Sequence, residues 1–232
     1  MISIENNLLQ VEINELGAEV THIIKKDENF DFIWNGAAWS RHAPILFPSI
    51  GKSNEDQYSY NGKIYPMKQH GFARDYPWTV VDKGDDHVRL TLVQNEETLT
   101  MFPFEFELSV DYQLKDNNLV TTFEVVNNSE TTMPFALGSH PGFNVPMNGD
   151  QLTFDDYEIS LSPEVVQIKQ FEINPAPFRT GEVVDLTAST GATIPLHHKT
   201  FDDGLIIIEN QGLTSIKLGS PQSEHSVTIS LE

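Results

Sequence analysis

The sequence predicts an all-β protein, a large antiparallel β-sandwich, on three observations. Apolar and polar side chains alternate with period two over long runs, and turn residues separate those runs at short spacing. No window of about a dozen residues sustains apolar positions at helical spacings of three and four. The 13 prolines and 14 glycines among 232 residues interrupt most helical candidates.

The clearest strand is 104–114, where Phe104, Phe106, Leu108, Val110, Tyr112 and Leu114 alternate with Glu105, Glu107, Ser109, Asp111 and Gln113. A strand gathers those apolar side chains on one face, whereas a helix scatters them around its axis. The turn 115–118, Lys-Asp-Asn-Asn, and the β-branched and aromatic run Leu119–Val126 complete a hairpin. A second hairpin is expected at 58–65, because Asn61-Gly62 accepts the positive φ angles of a type I′ turn. Further strands are expected at 8–14, 18–25, 78–83, 87–94, 205–209, 213–218 and 225–231. No internal repeat or low-complexity linker interrupts the chain, so residues 1–232 read as one domain. Val227, Ile229 and Leu231 alternate with Thr228 and Ser230 up to the last residues. A strand pattern still running there leads us to expect that C-terminal strands of the sandwich are missing.

Composition excludes several classes of function. The absence of cysteine rules out a disulfide framework, a thiolate nucleophile and cysteine-ligated zinc, and suits a reducing compartment. A formal net charge of −20 argues against nucleic acid or an anionic membrane surface as a partner. Met1–Glu5 lacks the basic start and apolar run of a signal peptide, and no apolar stretch approaches the roughly 18 residues of a membrane helix. A cytoplasmic protein is therefore expected.

The chemically unusual residues gather in connections. Segment 40–51 is apolar but opens with Ser40, Arg41 and His42; segment 69–76 sets His70 before Gly71, with Arg74 four residues on. Segment 138–146 holds His140 ahead of Pro141 and Gly142, and segment 200–204 carries Asp202 and Asp203 before the apolar run Leu205–Ile208. Taken singly, each residue fits a structural role. A loop histidine beside Gly or Pro is more often a turn residue than a catalyst, Arg41 can snorkel over apolar surface, and Asp202 and Asp203 can initiate a turn. Arg74 and Asp75 read as a local ion pair or structural contact. His22, His87 and His225 lie within strand patterns and read as structural, and His197-His198 reads as solvent-exposed.

Together, in order and approximate spacing, the segments resemble the aldose 1-epimerase (galactose mutarotase-like) family, most closely its LacX-like branch, over nearly the whole chain. An Arg-His-x-Pro-x-Leu-Phe-Pro run stands at Arg41–Pro48, a His-Gly-Phe-Ala-Arg element at His70–Arg74 and a Ser-His-Pro-x-Phe-Asn element at Ser139–Asn144. The family's substrate-binding aspartate is similar to Asp203. The resemblance implies a carbohydrate-binding supersandwich that interconverts the α and β anomers of a hexose. It implies that His140 is the acid at the ring oxygen and that His70 is a second imidazole bonded to that oxygen or a neighbouring hydroxyl. Arg41 and Asp203 then grip sugar hydroxyls, and Phe72, Phe143 or Trp39 packs on the pyranose ring, with nothing in the sequence selecting among the three. Such ring opening is general acid and base work that needs no metal or redox cofactor. An imidazole suits the acid role because its unperturbed pKa of about 6.5 leaves both forms accessible.

The sequence departs from the family in one element. The resemblance implies that the general base is a glutamate in a Glu-Pro-Trp-type motif near the C-terminus, and no Glu-Pro occurs in this chain. Neither Glu209 nor Glu232 matches that position. The expectation is therefore a truncated mutarotase, inactive or nearly so as given. Three other readings compete. A non-catalytic carbohydrate-binding protein on the same fold would not need two histidines. A cupin-like metal enzyme would use closely spaced His-x-His ligands, whereas these loop histidines are far apart. A hexose-6-phosphate mutarotase would use Arg41 and Arg74 as its anion site.

Overall fold

The structure is a computed structural model that describes residues 1–147, 149–202, 204–210 and 212–231. Strands make up 44% of it and helix 8%, and every paired strand runs antiparallel to its neighbour. The chain divides into two compact units, Met1–Phe143 and Asn144–Glu232.

The first unit is built on two four-stranded sheets. One has the order β1-β2-β3-β4, with β1 (Ile2–Glu5), β2 (Leu9–Asn14), β3 (Glu19–Lys25) and β4 (Phe30–Asp31). After β5 (Ile45–Leu46), β6 (Gln57–Tyr60) and β7 (Lys63–Pro66) form the expected hairpin. Its turn residues Asn61 and Gly62 adopt φ of 49° and 76°. The second large sheet has the order β11-β10-β9-β8, made of β8 (Thr79–Lys83), β9 (His87–Val93), β10 (Phe106–Lys115) and β11 (Asn118–Asn127). β12 (Gly138–Ser139) pairs with β5. The alternation read in the sequence now has its physical use. Ile4, Val11 and Ile13 of one sheet and Leu90, Phe106, Leu108 and Val110 of the other belong to one buried cluster, as in a sandwich closed around apolar side chains.

The second unit contains a sheet of order β16-β13-β17-β18 and a separate ribbon, β14-β15. Their ranges are β13 (Glu158–Ser162), β14 (Lys169–Ile173), β15 (Arg179–Asp185), β16 (Thr193–Pro195), β17 (Ser215–Gly219) and β18 (Ser226–Ser230). Its apolar cluster is small, centred on Leu161, Ile168, Leu186 and Ile194.

The sequence reading placed no strand at β1 or at β13–β16, and two further elements differ from it. The run 205–209 is not a strand: it contributes a single bridge from Ile208 to Gln170, and Leu205 is exposed. An apolar β-branched run has high strand propensity, but here it finds a partner only at that bridge. A short helix, α1 (Glu96–Met101), closes the link between β9 and β10. Asn95 caps it by accepting from the Thr98 amide, while the Thr98 hydroxyl receives the Asn95 N–H.

Candidate active site

Three connections of the first unit meet through backbone bonds. β5 pairs with β12, setting Gly138 opposite Leu46 and Ser139 opposite Ile45. The pairing continues past the strands: the His140 amide donates to the Pro44 carbonyl (3.1 Å) and the Gly142 amide to the His42 carbonyl (2.8 Å). Segment 70–73 lies on the other side of this run, where the Phe72 and Ala73 amides both donate to the Phe47 carbonyl. Gly71 crosses Phe47 so closely, at φ +71°, that a Cβ there would lie 2.2 Å from the Phe47 oxygen. Only glycine permits that crossing.

This arrangement brings the rings of His70 and His140 to 5.6 Å between centroids, inclined at 60°. Trp39 stands beside them, its ring 5.4 Å from that of His140. His140 is exposed and Trp39 half-buried, so both present faces to a ligand. Of the other aromatics proposed as stacking partners, Phe72 is only 3% exposed and belongs to the core, and Phe143 packs partly buried against it. Phe72 is thus removed from the candidates by burial, and of the other two it is Trp39 whose ring lies beside His140.

His70 is held from its own backbone outward. Its φ is +69°, an uncommon conformation for a side-chain-bearing residue and one that concentrates at functional sites. Its amide donates to the Gly51 carbonyl (2.9 Å), and the Gly51 amide donates to its ring Nδ1 (3.0 Å). The Gln69 side-chain amide nitrogen lies 3.4 Å from Nε2. Burial lowers the His70 pKa below the usual imidazole value, and the neighbouring Arg74 and His140 act in the same direction.

Arg41 is gripped rather than snorkelling. Its Nη1 donates to the Arg74 carbonyl (3.0 Å), its Nη2 to Asp75 Oδ1 (2.5 Å), and Glu19 Oε2 lies 3.7 Å from Nη1. The local pairing expected between Arg74 and Asp75 gives way to this one, because the Asp75 carboxylate is engaged by Arg41. Arg74 instead donates from Nη2 to the Gln69 carbonyl, and its Nε is buried without a hydrogen-bond partner. Asp203 lies outside the described residues.

Glu19 was missed by the sequence reading. It is only 5% exposed, and its Oε1 accepts from the amides of His42 (2.6 Å) and Ala43 (3.0 Å) while Oε2 faces Arg41. A carboxylate of this kind is tolerated in a core because it is paired and hydrogen-bonded. The available signal was a lone acid inside the otherwise apolar stretch Leu16-Gly17-Ala18-Glu19-Val20.

The remaining histidines have local partners. His22 bonds Asp31 (2.7 Å), His87 contacts Asp82 and Asp86, and exposed His198 stacks on Phe154. Among the described residues, no group of three or more His, Asp or Glu side chains gathers to hold a metal ion.

Fold and site together define the class: an antiparallel β-sandwich protein with two histidines facing one another across its connecting loops. The chain belongs to the aldose 1-epimerase family, whose sequence profile matches residues 1–228. It is 28% identical to the plasmid-encoded protein LacX of Lactococcus lactis subsp. lactis, in a match that takes in all of this chain and 79% of LacX. It is similar to the crystal structure of a galactose mutarotase-like protein from Lactobacillus casei ATCC 334. There the TM-score is 0.94 and the identity 46%, over all of this chain and 79% of the other. A galactose mutarotase related enzyme from Lactobacillus acidophilus is 33% identical, with a TM-score of 0.90, over 98% of this chain and 75% of the other.

Proposed function

We propose that the protein is an aldose 1-epimerase of the cytoplasm that interconverts the α and β anomers of a free hexose. The observation that carries this reading is the facing pair His70 and His140, 5.6 Å apart with Trp39 alongside. In the reaction the C1 hydroxyl gives up its proton to a base while His140 protonates the ring oxygen. The bond between C1 and the ring oxygen breaks to leave the open-chain aldehyde. Rotation about C1–C2 and closure on the other face return both protons. His70 bonds a sugar oxygen, Trp39 offers a face to the pyranose, and Arg41 and Asp203 hold hydroxyls, as the family resemblance implies. No residue of this sequence is assigned as the base.

A second reading, sugar binding without catalysis on the same fold, would use Arg41 and Asp203 without needing an acid–base pair. Polarimetry of freshly dissolved hexose anomers, paired with calorimetric titration, separates the two. The mutarotase reading expects an accelerated approach to anomeric equilibrium that His140→Ala slows by roughly 10²–10⁴-fold while sugar still binds. Binding without acceleration supports the second reading, and a chain that neither binds nor converts any hexose defeats both.

A further inference from the structure

We propose that the backbone N–H of Gly51 is a positioning group that holds His70 as a neutral imidazole with its proton on Nε2. His70 then serves the site only as a hydrogen-bond donor, and the proton exchange of the reaction belongs to His140. The consequence for catalysis rests on the mutarotase reading; the tautomer rests on geometry alone.

A peptide N–H can only donate, so the ring nitrogen that it meets at 3.0 Å must offer a lone pair. An imidazolium carries N–H groups on both nitrogens, and would set two donors face to face at Gly51. A neutral imidazole has one N–H, and with Nδ1 accepting, that proton sits on Nε2. The contact is not incidental to the loop. The same two residues are joined a second time through the His70 amide and the Gly51 carbonyl at 2.9 Å. The next residue, Gly71, is fixed against the Phe47 carbonyl with no room for a side chain. The ring therefore meets the Gly51 amide from a backbone that is already determined.

The surroundings agree. The charged or titratable groups that act on His70 are Arg74, on its own loop, and His140, across from it, and both disfavour a second positive charge. Burial has the same sign. On the open side of the ring, the Gln69 amide accepts the Nε2 proton when its oxygen is turned inward, since amide oxygen and nitrogen exchange places by a half-turn. A sugar oxygen can replace that acceptor. His70 cannot take a proton from the C1 hydroxyl without losing the Gly51 bond. A division of labour follows, with the His70 imidazole fixed as a donor and the acid role left to His140.

The test is a long-range ¹H–¹⁵N correlation of the histidine rings in the ¹⁵N-labelled protein, followed from about pH 8 to about pH 5. His70 is assigned by through-bond correlation from its backbone. The expected result is a single Nε2–H pattern with an unprotonated Nδ1, persisting below the ordinary imidazole value of about 6.5, in the wild type and in His140→Gln alike. An Nδ1–H pattern, a mixture of tautomers, or a doubly protonated ring near neutrality would overturn the proposal. So would loss of the tautomer in His140→Gln, which would assign it to the facing ring rather than to Gly51. The spectrum is recorded without sugar, so its outcome stands apart from whether the protein turns over a hexose.

Discussion

Strand β10 and the loop 67–76 belong to the same unit but are held by different physics. β10 buries Phe106, Leu108, Val110, Tyr112 and Leu114 on one face and keeps an unbroken register with β11 over all ten of its residues. Its stability comes from removing apolar area from water, about 25 cal/mol per Å², a force without direction. The loop also buries Met67, Phe72 and Ala73 in that core, but its path is set by directional groups: the Phe47 carbonyl that accepts twice, the left-handed backbone at His70 and Gly71, and the carboxylates around Arg41. The contrast teaches where substitution is tolerated. A core of non-directional contacts accepts another apolar side chain of similar volume, whereas a loop built on specific donors fails at one changed atom.

Four comparisons test that contrast, beginning with the largest effect. Phe106→Ala should cost about 3–5 kcal/mol in chemical denaturation, while Phe106→Leu should recover much of it. A similar cost for both would mean that β10 is as shape-specific as the loop. Glu19→Ala leaves the His42 and Ala43 amides and one side of Arg41 without their carboxylate, and should cost about 1–3 kcal/mol. Glu19→Gln keeps an oxygen for the two amides and should lie between that value and wild type, measured in the same denaturation series. Gly62→Ala meets no neighbour, so only its left-handed φ should be felt, at about 1–2 kcal/mol. Gly71→Ala adds the collision with Phe47, and its melting temperature should fall further than that of Gly62→Ala. Equal shifts would show that the loop gives way at no cost.

The smallest effect concerns pH. Because the folded state lowers the His70 pKa, the unfolded chain takes up this proton first as the pH falls. The stability tied to neutral His70 is complete above about 6.5 and is lost as the pH drops through the folded value. His70→Gln should therefore lose less stability than wild type between about pH 7.5 and about pH 5.5, read from urea midpoints. An identical loss in the two proteins would remove His70 from the pH response.

Much of the scaffold was legible before any coordinates, and for a definite reason. The 104–126 hairpin, the Asn61-Gly62 turn and the strands near 8–14, 18–25 and 87–94 are written in period-two alternation and turn chemistry, both local properties of the chain. The 205–209 run was misread because its apolar content matches a strand, while its pairing is limited to one bridge, made by the Ile207 carbonyl and the Glu209 amide. Helix α1 escaped because six residues are too short for a helical period, although Asn95 three residues before Thr98 is a capping signature.

At the candidate site, the sequence by itself singled out the histidines, Arg41 and the glycine beside His70, since residue type and order carry the family resemblance. Tertiary structure decided what surrounds them. That Asp75 bonds Arg41 rather than Arg74, that Phe72 is buried while Trp39 lies beside His140, and that Glu19 supports the 41–43 turn all depend on residues more than 20 positions apart, except for the neighbouring Arg74 and Asp75. The Gly51 bond to the His70 ring is of the same kind, joining residues 19 positions apart. Local pattern fixes which face of a strand is apolar. Which donor meets which acceptor is settled only when the strands have closed and the loops have been drawn together.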